Sequence, residues 1–212
     1  MSNKLEPVDV VISALDESKT IGQVVSTFRH GRNIGQIIVV SDLSSDRTST
    51  IARKNGAHVV KGPGKGKGQA MMRGLKEVKT SRVIFADADL TGLRADHVDA
   101  LAFPTASHIV GIRDMGRMNL ATVMAKLPPI AGERSMPVSL LRGLDLTGFG
   151  AETQINAAVA RAGINSYHFI MRGVTGELRA GPFRLFDIAP FVFQKFPELV
   201  TYPRQVRWLK PV

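Results

Sequence analysis

Apolar positions in the first part of the chain alternate between two periods. Residues 8–12 are a β-branched run ended by Ser13-Ala14, the pattern of a strand buried on both faces. Ile21, Val24, Val25 and Phe28 then recur at helical spacing, which predicts a helix over 20–28 with Ser18 or Thr20 as its cap. A second apolar strand follows at 37–40, a helix at about 47–55 stopped by Gly56, and a short strand at 58–60. Past a loop rich in glycine and lysine, 69–78 reads as a helix and 83–86 as a fourth strand.

This alternation predicts βαβ units and a mainly parallel sheet, the α/β class. Beyond Leu90 the pattern loosens. A strand is expected at 108–112, a helix at 115–126 broken by Pro128-Pro129, a helix at 151–162 and a strand near 167–171. In the tail from Pro182, Phe183, Phe186, Phe191, Phe193 and Phe196 are expected to cover the core. No repeat or linker divides the chain, so a single domain is expected.

Composition narrows the class. Of 212 residues, 44% are hydrophobic and 22% charged, as in folded globular chains. The absence of cysteine excludes a disulfide scaffold, a thiol nucleophile and a thiolate zinc site. No run approaches the length of a membrane-spanning helix, and charge returns at Asp9 and Asp16 where a secretory signal would stay apolar. A cytoplasmic protein is the expectation. The net charge of +10 favours encounters with phosphates, from nucleotides to nucleic acid, while 6% aromatics argues against a base-stacking platform.

In a parallel sheet, ligands gather beyond the carboxyl ends of the strands. The loops there, 14–17, 42–46 and 87–91, all carry acids. Asp87 and Asp89 follow a buried strand two residues apart. An extended chain would turn them to opposite faces, and the turn lets one reach a divalent cation while the other meets a ribose or a water. Such hard oxygen donors suit Mg²⁺ or Mn²⁺ on a diphosphate, although an acidic pair can equally be a solvated turn. The loop 62–68, GPGKGKG, offers backbone N–H groups and lysine charges to phosphate without the spacing of a Walker A motif. Asp16, Glu17 and Asp42 can accept hydrogen bonds from a base or ribose, or serve as acids favoured at helix starts.

Taken in order, ALDESKTIG, IIVVSD, SSDRT, NGAHVV, GKGKGQAMMRGL and VIFADADL resemble the family 2 glycosyltransferases of GT-A fold. The resemblance is to the branch containing glucosyl-3-phosphoglycerate synthases. It continues through PIAGER at 129–134, SLL at 139–141 and GFGAE at 148–152, so it covers about residues 7–180. It implies a nucleotide-binding half at 7–92, an acceptor half at 93–180 and a packing tail at 181–212. It further implies transfer from a nucleotide-diphosphate sugar, a UDP-sugar above all, with Mg²⁺ or Mn²⁺.

Position by position, the resemblance implies that Ala14, Leu15, Asp16 and Glu17 line the nucleotide pocket, with Asp42 near the uracil or ribose. Lys67 would lie beside the diphosphate. Asp87 and Ala88 would meet the nucleoside, and Asp89, with Asp87, the metal. Gly132 and Glu133 would sit by the donor sugar, and Glu152 near the reacting sugar, as base or as positioning acid. Arg113, Arg117, Lys126 and Arg134 fall where relatives hold their acceptor, which suits an anionic acceptor: a small phosphate ester, a hydroxylated base in DNA, or a lipid phosphate.

The chain also departs from the pattern. The first motif has Asp16 before Glu17 where asparagine is commonest, and Glu177 stands near the place of a late metal-ligand histidine. His58, His108 and His168 fit structural roles, and Trp208 a surface anchor. Two other classes stay open. A sugar-nucleotide pyrophosphorylase would carry its glycine-rich loop after the first strand, whereas here it follows the third. A non-catalytic nucleic-acid binder would tolerate loss of Asp87, Asp89 and Glu152, which are all present.

Overall fold

The computed structural model describes residues 6–104, 107–114, 131–146, 150–176 and the backbone of 206–208. Its frame is an eight-stranded sheet in the order β10-β8-β6-β7-β4-β1-β2-β3. The strands are β1 (Val8–Ala14), β2 (Ile34–Ser41), β3 (His58–Lys61), β4 (Arg82–Asp87), β6 (His108–Arg113), β7 (Arg134–Pro137), β8 (Ser166–Met171) and β10 (Val206–Trp208). All neighbours pair in parallel except β7, which runs antiparallel between β4 and β6. A short antiparallel ribbon joins β5 (Leu90–Thr91) to β9 (Thr175–Gly176). The single α/β domain expected from the alternation is what forms.

The strands of the sheet centre are apolar on both faces because helices cover both. On one side Val10, Ile12 and Ile84 pack with Ile21, Val24, Val25 and Phe28 of α1 (Ile21–His30) and with Val98 and Leu101 of α4 (Ala95–Leu101). On the other, Val11, Val83 and Phe85 meet Ala70 and Met71 of α3 (Lys67–Leu75) and Ile155 and Val159 of α5 (Ala151–Arg161). Phe28 and Phe85 are essentially fully buried, each contributing roughly 1.5–3 kcal/mol relative to exposure. A further helix, α2 (Thr48–Lys54), lies between β2 and β3 in sequence.

Several local expectations are corrected. Thr20 stands at the N-cap of α1 but makes no capping bond; its hydroxyl donates to the Glu17 carbonyl at 3.4 Å. The third helix begins at Lys67, earlier than expected, because Gly66 takes φ 86° and turns the chain directly into it. Trp208, expected as a surface anchor, has its backbone in a strand paired with β8 at His168. Strand β7 was not predicted: its four residues, RSMP, read as polar, yet Arg134, Ser135 and Met136 are all fully buried. The expected helix at 115–126, Arg117, Lys126, Gly148, Phe149, Glu177 and the tail phenylalanines lie outside the described residues.

The strand order fixes where a ligand can enter. From β1 the chain steps outward to β2 and β3, then returns to the far side of β1 as β4. The crevice between the carboxyl ends of β1 and β4 is therefore the topological switch point. Ser13 and Asp87 are register partners there.

Candidate active site

Six charged side chains meet at this end of the sheet. Asp87 closes β4, Asp89 follows in the turn, Arg113 closes β6, and Glu133 immediately precedes β7. Lys67 opens α3 and Glu152 is the second residue of α5. The Arg113 guanidinium donates to Asp87 at 2.6 Å, Glu133 at 2.8 Å and Asp89 at 3.2 Å. The Lys67 ammonium donates to Asp87 at 2.7 Å and to Glu152 at 2.9 Å.

Asp87 and Asp89 thus converge on one group rather than diverging. The strand ends at Asp87 and the turn swings Asp89 back toward the same guanidinium nitrogen. Gly132 is required by this closeness: a Cβ there would stand 2.4 Å from an Asp87 oxygen. Glu133 was expected beside the donor sugar. It is completely buried, with Arg113 donating to it at 2.8 Å. Arg134 is also fully buried, donating to the Ala131 carbonyl at 2.9 Å and to Asn156 at 3.1 Å. It forms no part of an open acceptor surface.

The electrostatics follow from this packing. Burial would raise Asp87, but Lys67 and Arg113 outweigh it and hold the carboxyl below its usual range. Burial and then the neighbouring Asp87 push Glu133 up, against the pull of Arg113. Burial would lower Lys67; Asp87 and Glu152 overcome it and hold the ammonium well above the ordinary lysine value. Arg113 is likewise raised against burial, by Glu133 first and then by Asp87 and Asp89. Four carboxylates thus face Lys67 and Arg113 among the described residues.

The acids at the ends of β1 and β2 are held differently. Asp42 accepts from the backbone N–H of Gly64 at 2.6 Å and of Gly66 at 3.2 Å, clamping the glycine-rich loop. Asp16, with φ 53°, accepts from the Ser45 N–H at 2.7 Å. Asp46 accepts from the N–H groups of Ser18 and Thr48 and from the Thr48 hydroxyl. Burial opposes ionisation of Asp46, yet these bonds keep its carboxyl well below the usual range. Thr48 in turn accepts from the Glu17 N–H at 2.8 Å. Ala14 is buried, whereas Leu15 and Leu43 stand exposed on neighbouring loops at 41% and 59%.

A divalent ion fits this donor set. Among the described residues no three carboxylate or imidazole groups form a ready-made cation cage. Mg²⁺ seldom uses one; it takes one or two carboxylates and completes its shell with phosphate and water. Asp87 and Asp89, whose carboxylates converge at the switch point, answer that requirement.

The model of the family "Glycosyl transferase family 2" matches residues 9–124. The chain belongs to that family. A 4,4'-diaponeurosporenoate glycosyltransferase of Staphylococcus aureus (strain MRSA252) is 37% identical over 98 residues, 43% of this chain and 26% of that protein. The same enzyme from strain USA300 is 36% identical over the same length. The chain therefore spans well under half of the curated relatives it matches. Glucosyl-3-phosphoglycerate synthase of Mycobacterium tuberculosis, solved with phosphoglyceric acid, superposes with TM-score 0.70 at 22% identity, over 94% of this chain and 80% of that one. Its complex with Mn²⁺, UDP and phosphoglyceric acid gives TM-score 0.71 at 22% identity, over 93% and 78%. The expected GT-A fold and likeness to that branch hold.

Two features of this family member escaped the sequence. Arg113, expected on the acceptor side, is the hub of the acid cluster. Its place at the carboxyl end of a predicted parallel strand was the available signal. The clamp from Asp42 onto Gly64 and Gly66 was invisible, since no local spacing joins those loops. His108 and His168 bracket Ser166, at 2.9 and 3.0 Å, inside the sheet, as structural histidines. His58 sits on exposed β3, 3.7 Å from Glu77.

Proposed function

We propose that this family 2 member transfers a sugar from a UDP-sugar to the hydroxyl of an anionic acceptor, with Mg²⁺ or Mn²⁺ bound by Asp89 and Asp87. The observation that carries the reading is the meeting of four carboxylates, among the described residues, with Lys67 and Arg113 at the switch point. The residues 14–17, Asp42 and Ala88 would form the nucleoside cradle, with exposed Leu15 and Leu43 offering apolar surface to the base. Bound metal would neutralise charge developing on the departing diphosphate. Lys67 would turn from its carboxylates toward that diphosphate as a second positive charge. Glu152, 2.9 Å from the Lys67 ammonium, would position the acceptor or take its proton. Gly132 and Glu133 would support the donor side from behind Asp87 and Arg113.

A small phosphate ester is the acceptor class we favour, since the solved neighbours include complexes with phosphoglyceric acid. A second reading, an apolar carboxylate, follows from the S. aureus relatives, named for 4,4'-diaponeurosporenoate. The neighbours give DNA no comparable support. The test is UDP release from UDP-glucose with Mn²⁺ and each acceptor in turn: phosphoglycerate, a long-chain carboxylate, and hydroxylated DNA. Metal-dependent release stimulated by phosphoglycerate is expected. Stimulation by the long-chain acid alone selects the second reading, and no release with any acceptor or UDP-sugar contradicts both.

A further inference from the structure

Arg113 holds three of the four acids at once, and the fold keeps it there. The ribbon of β5 and β9 pairs Leu90 with Gly176, laying the β9 backbone beside the turn that carries Asp89. A Cβ on Gly176 would stand 1.9 Å from an Arg113 guanidinium nitrogen and 3.0 Å from an Asp89 oxygen. A side chain on Gly176 would have to displace the guanidinium, the far end of a flexible side chain. Arg113 itself is 23% exposed, and Glu133 beneath it not at all. The planar fork of arginine is suited to bridging several carboxylates.

A divalent ion draws on some of the same oxygens, at about 2.0–2.1 Å for Mg²⁺, and the guanidinium already bonded to them opposes it by occupying lone pairs and by like-charge repulsion. We propose that Arg113 is a resident counter-ion that competes with the divalent cation for Asp87 and Asp89, with Glu133 and the Gly176 backbone holding it in the competing position. Resting on the metal-dependent reading above, this adds that the free enzyme binds metal weakly. The guanidinium must yield Asp89, and with it part of Asp87, before the ion enters. Its bond to Glu133 lets it swing aside without leaving the site.

The test is Mn²⁺ affinity, read from the electron paramagnetic resonance of free Mn²⁺, in wild type, Arg113→Met and Gly176→Ala without nucleotide. Arg113→Met removes the competitor and is expected to tighten binding by about tenfold or more. Gly176→Ala keeps every charge but pushes the guanidinium off its acids, so about threefold tightening is expected. It separates direct competition from a general change of field. Melting supplies a second readout: Arg113→Met should lose stability in chelator and regain it with Mn²⁺ more strongly than wild type does. Unchanged or weaker Mn²⁺ binding in Gly176→Ala overturns the proposal, and it remains decisive if Arg113→Met fails to fold. Weaker binding in a folded Arg113→Met would make the arginine an organiser of the acids and overturns it equally. Wild type that binds no Mn²⁺ even with UDP present refutes the metal-dependent site itself, a distinguishable failure.

Discussion

The carboxylates after β1 and β2 and those around β4, β6 and α5 are alike in sequence and opposite in partnership. Asp16, Asp42 and Asp46 are satisfied largely by backbone N–H groups of neighbouring loops. Asp87, Asp89, Glu133 and Glu152 are satisfied by the side-chain cations Lys67 and Arg113. A backbone donor cannot leave without unfolding its loop, while a flexible cation can exchange for another. The first region is a rigid mould and the second an exchangeable charge store, the kind of site that the proposed metal and diphosphate chemistry requires.

The largest effect expected from this contrast is on turnover. Glu152→Gln should cut the rate of transfer by about a hundredfold or more with little change in melting, checked by UDP release beside calorimetry. A variant that melts early with proportionate loss of rate would place Glu152 with the mould instead.

The next test concerns buried groups with fixed partners. Burial, helped by Arg134, pushes His168 down to about 4 from an ordinary 6.5, and His108 is lowered as well. The folded state therefore holds these rings neutral where the unfolded chain would protonate them. Their contribution is present above about pH 6.5 and is lost as pH falls toward 4. His168 alone accounts for on the order of 3 kcal/mol, and His168→Gln should flatten the acid limb of a urea-unfolding series across that window. An unchanged limb would mean that other groups carry it.

Asp42→Asn should destabilise the fold by about 2 kcal/mol, through lost charge-assisted bonds to the glycine-rich loop. Chemical denaturation measures this, and any loss of donor affinity should accompany loosening of loop 62–66. A smaller gain is expected at Leu43, which adopts φ 64° while 59% exposed. Leu43→Asn should add about 0.5–1 kcal/mol, because asparagine tolerates that conformation better and little burial is lost.

Much of the fold was legible because the strands β1, β2 and β4 are apolar on both faces and α1 carries a clean helical stripe. Strand β7 was not, since its arginine and serine are buried through bonds to distant residues such as Asn156 and Arg82. The positions of Asp87, Asp89, Lys67 and Glu152 were readable from motif order. Their partners were not: whether a carboxylate meets a backbone N–H or a guanidinium depends on contacts 20 or more residues away. Arg113 shows that gap most clearly: its neighbours in sequence suggested the acceptor side, and the sheet brings it to Asp87, Asp89 and Glu133.

The most direct test of the exchangeable charge store is the melting of wild type and Asp89→Ala with UDP and Mn²⁺, separately and together, and with chelator. At a hundred times the dissociation constant the pair should stabilise wild type by about 2.7 kcal/mol. Either ligand alone should give less, and Asp89→Ala should show none of the metal-dependent gain. Equal stabilisation of both proteins, or none of wild type by the pair, would contradict the assignment of this cluster as the donor and metal site.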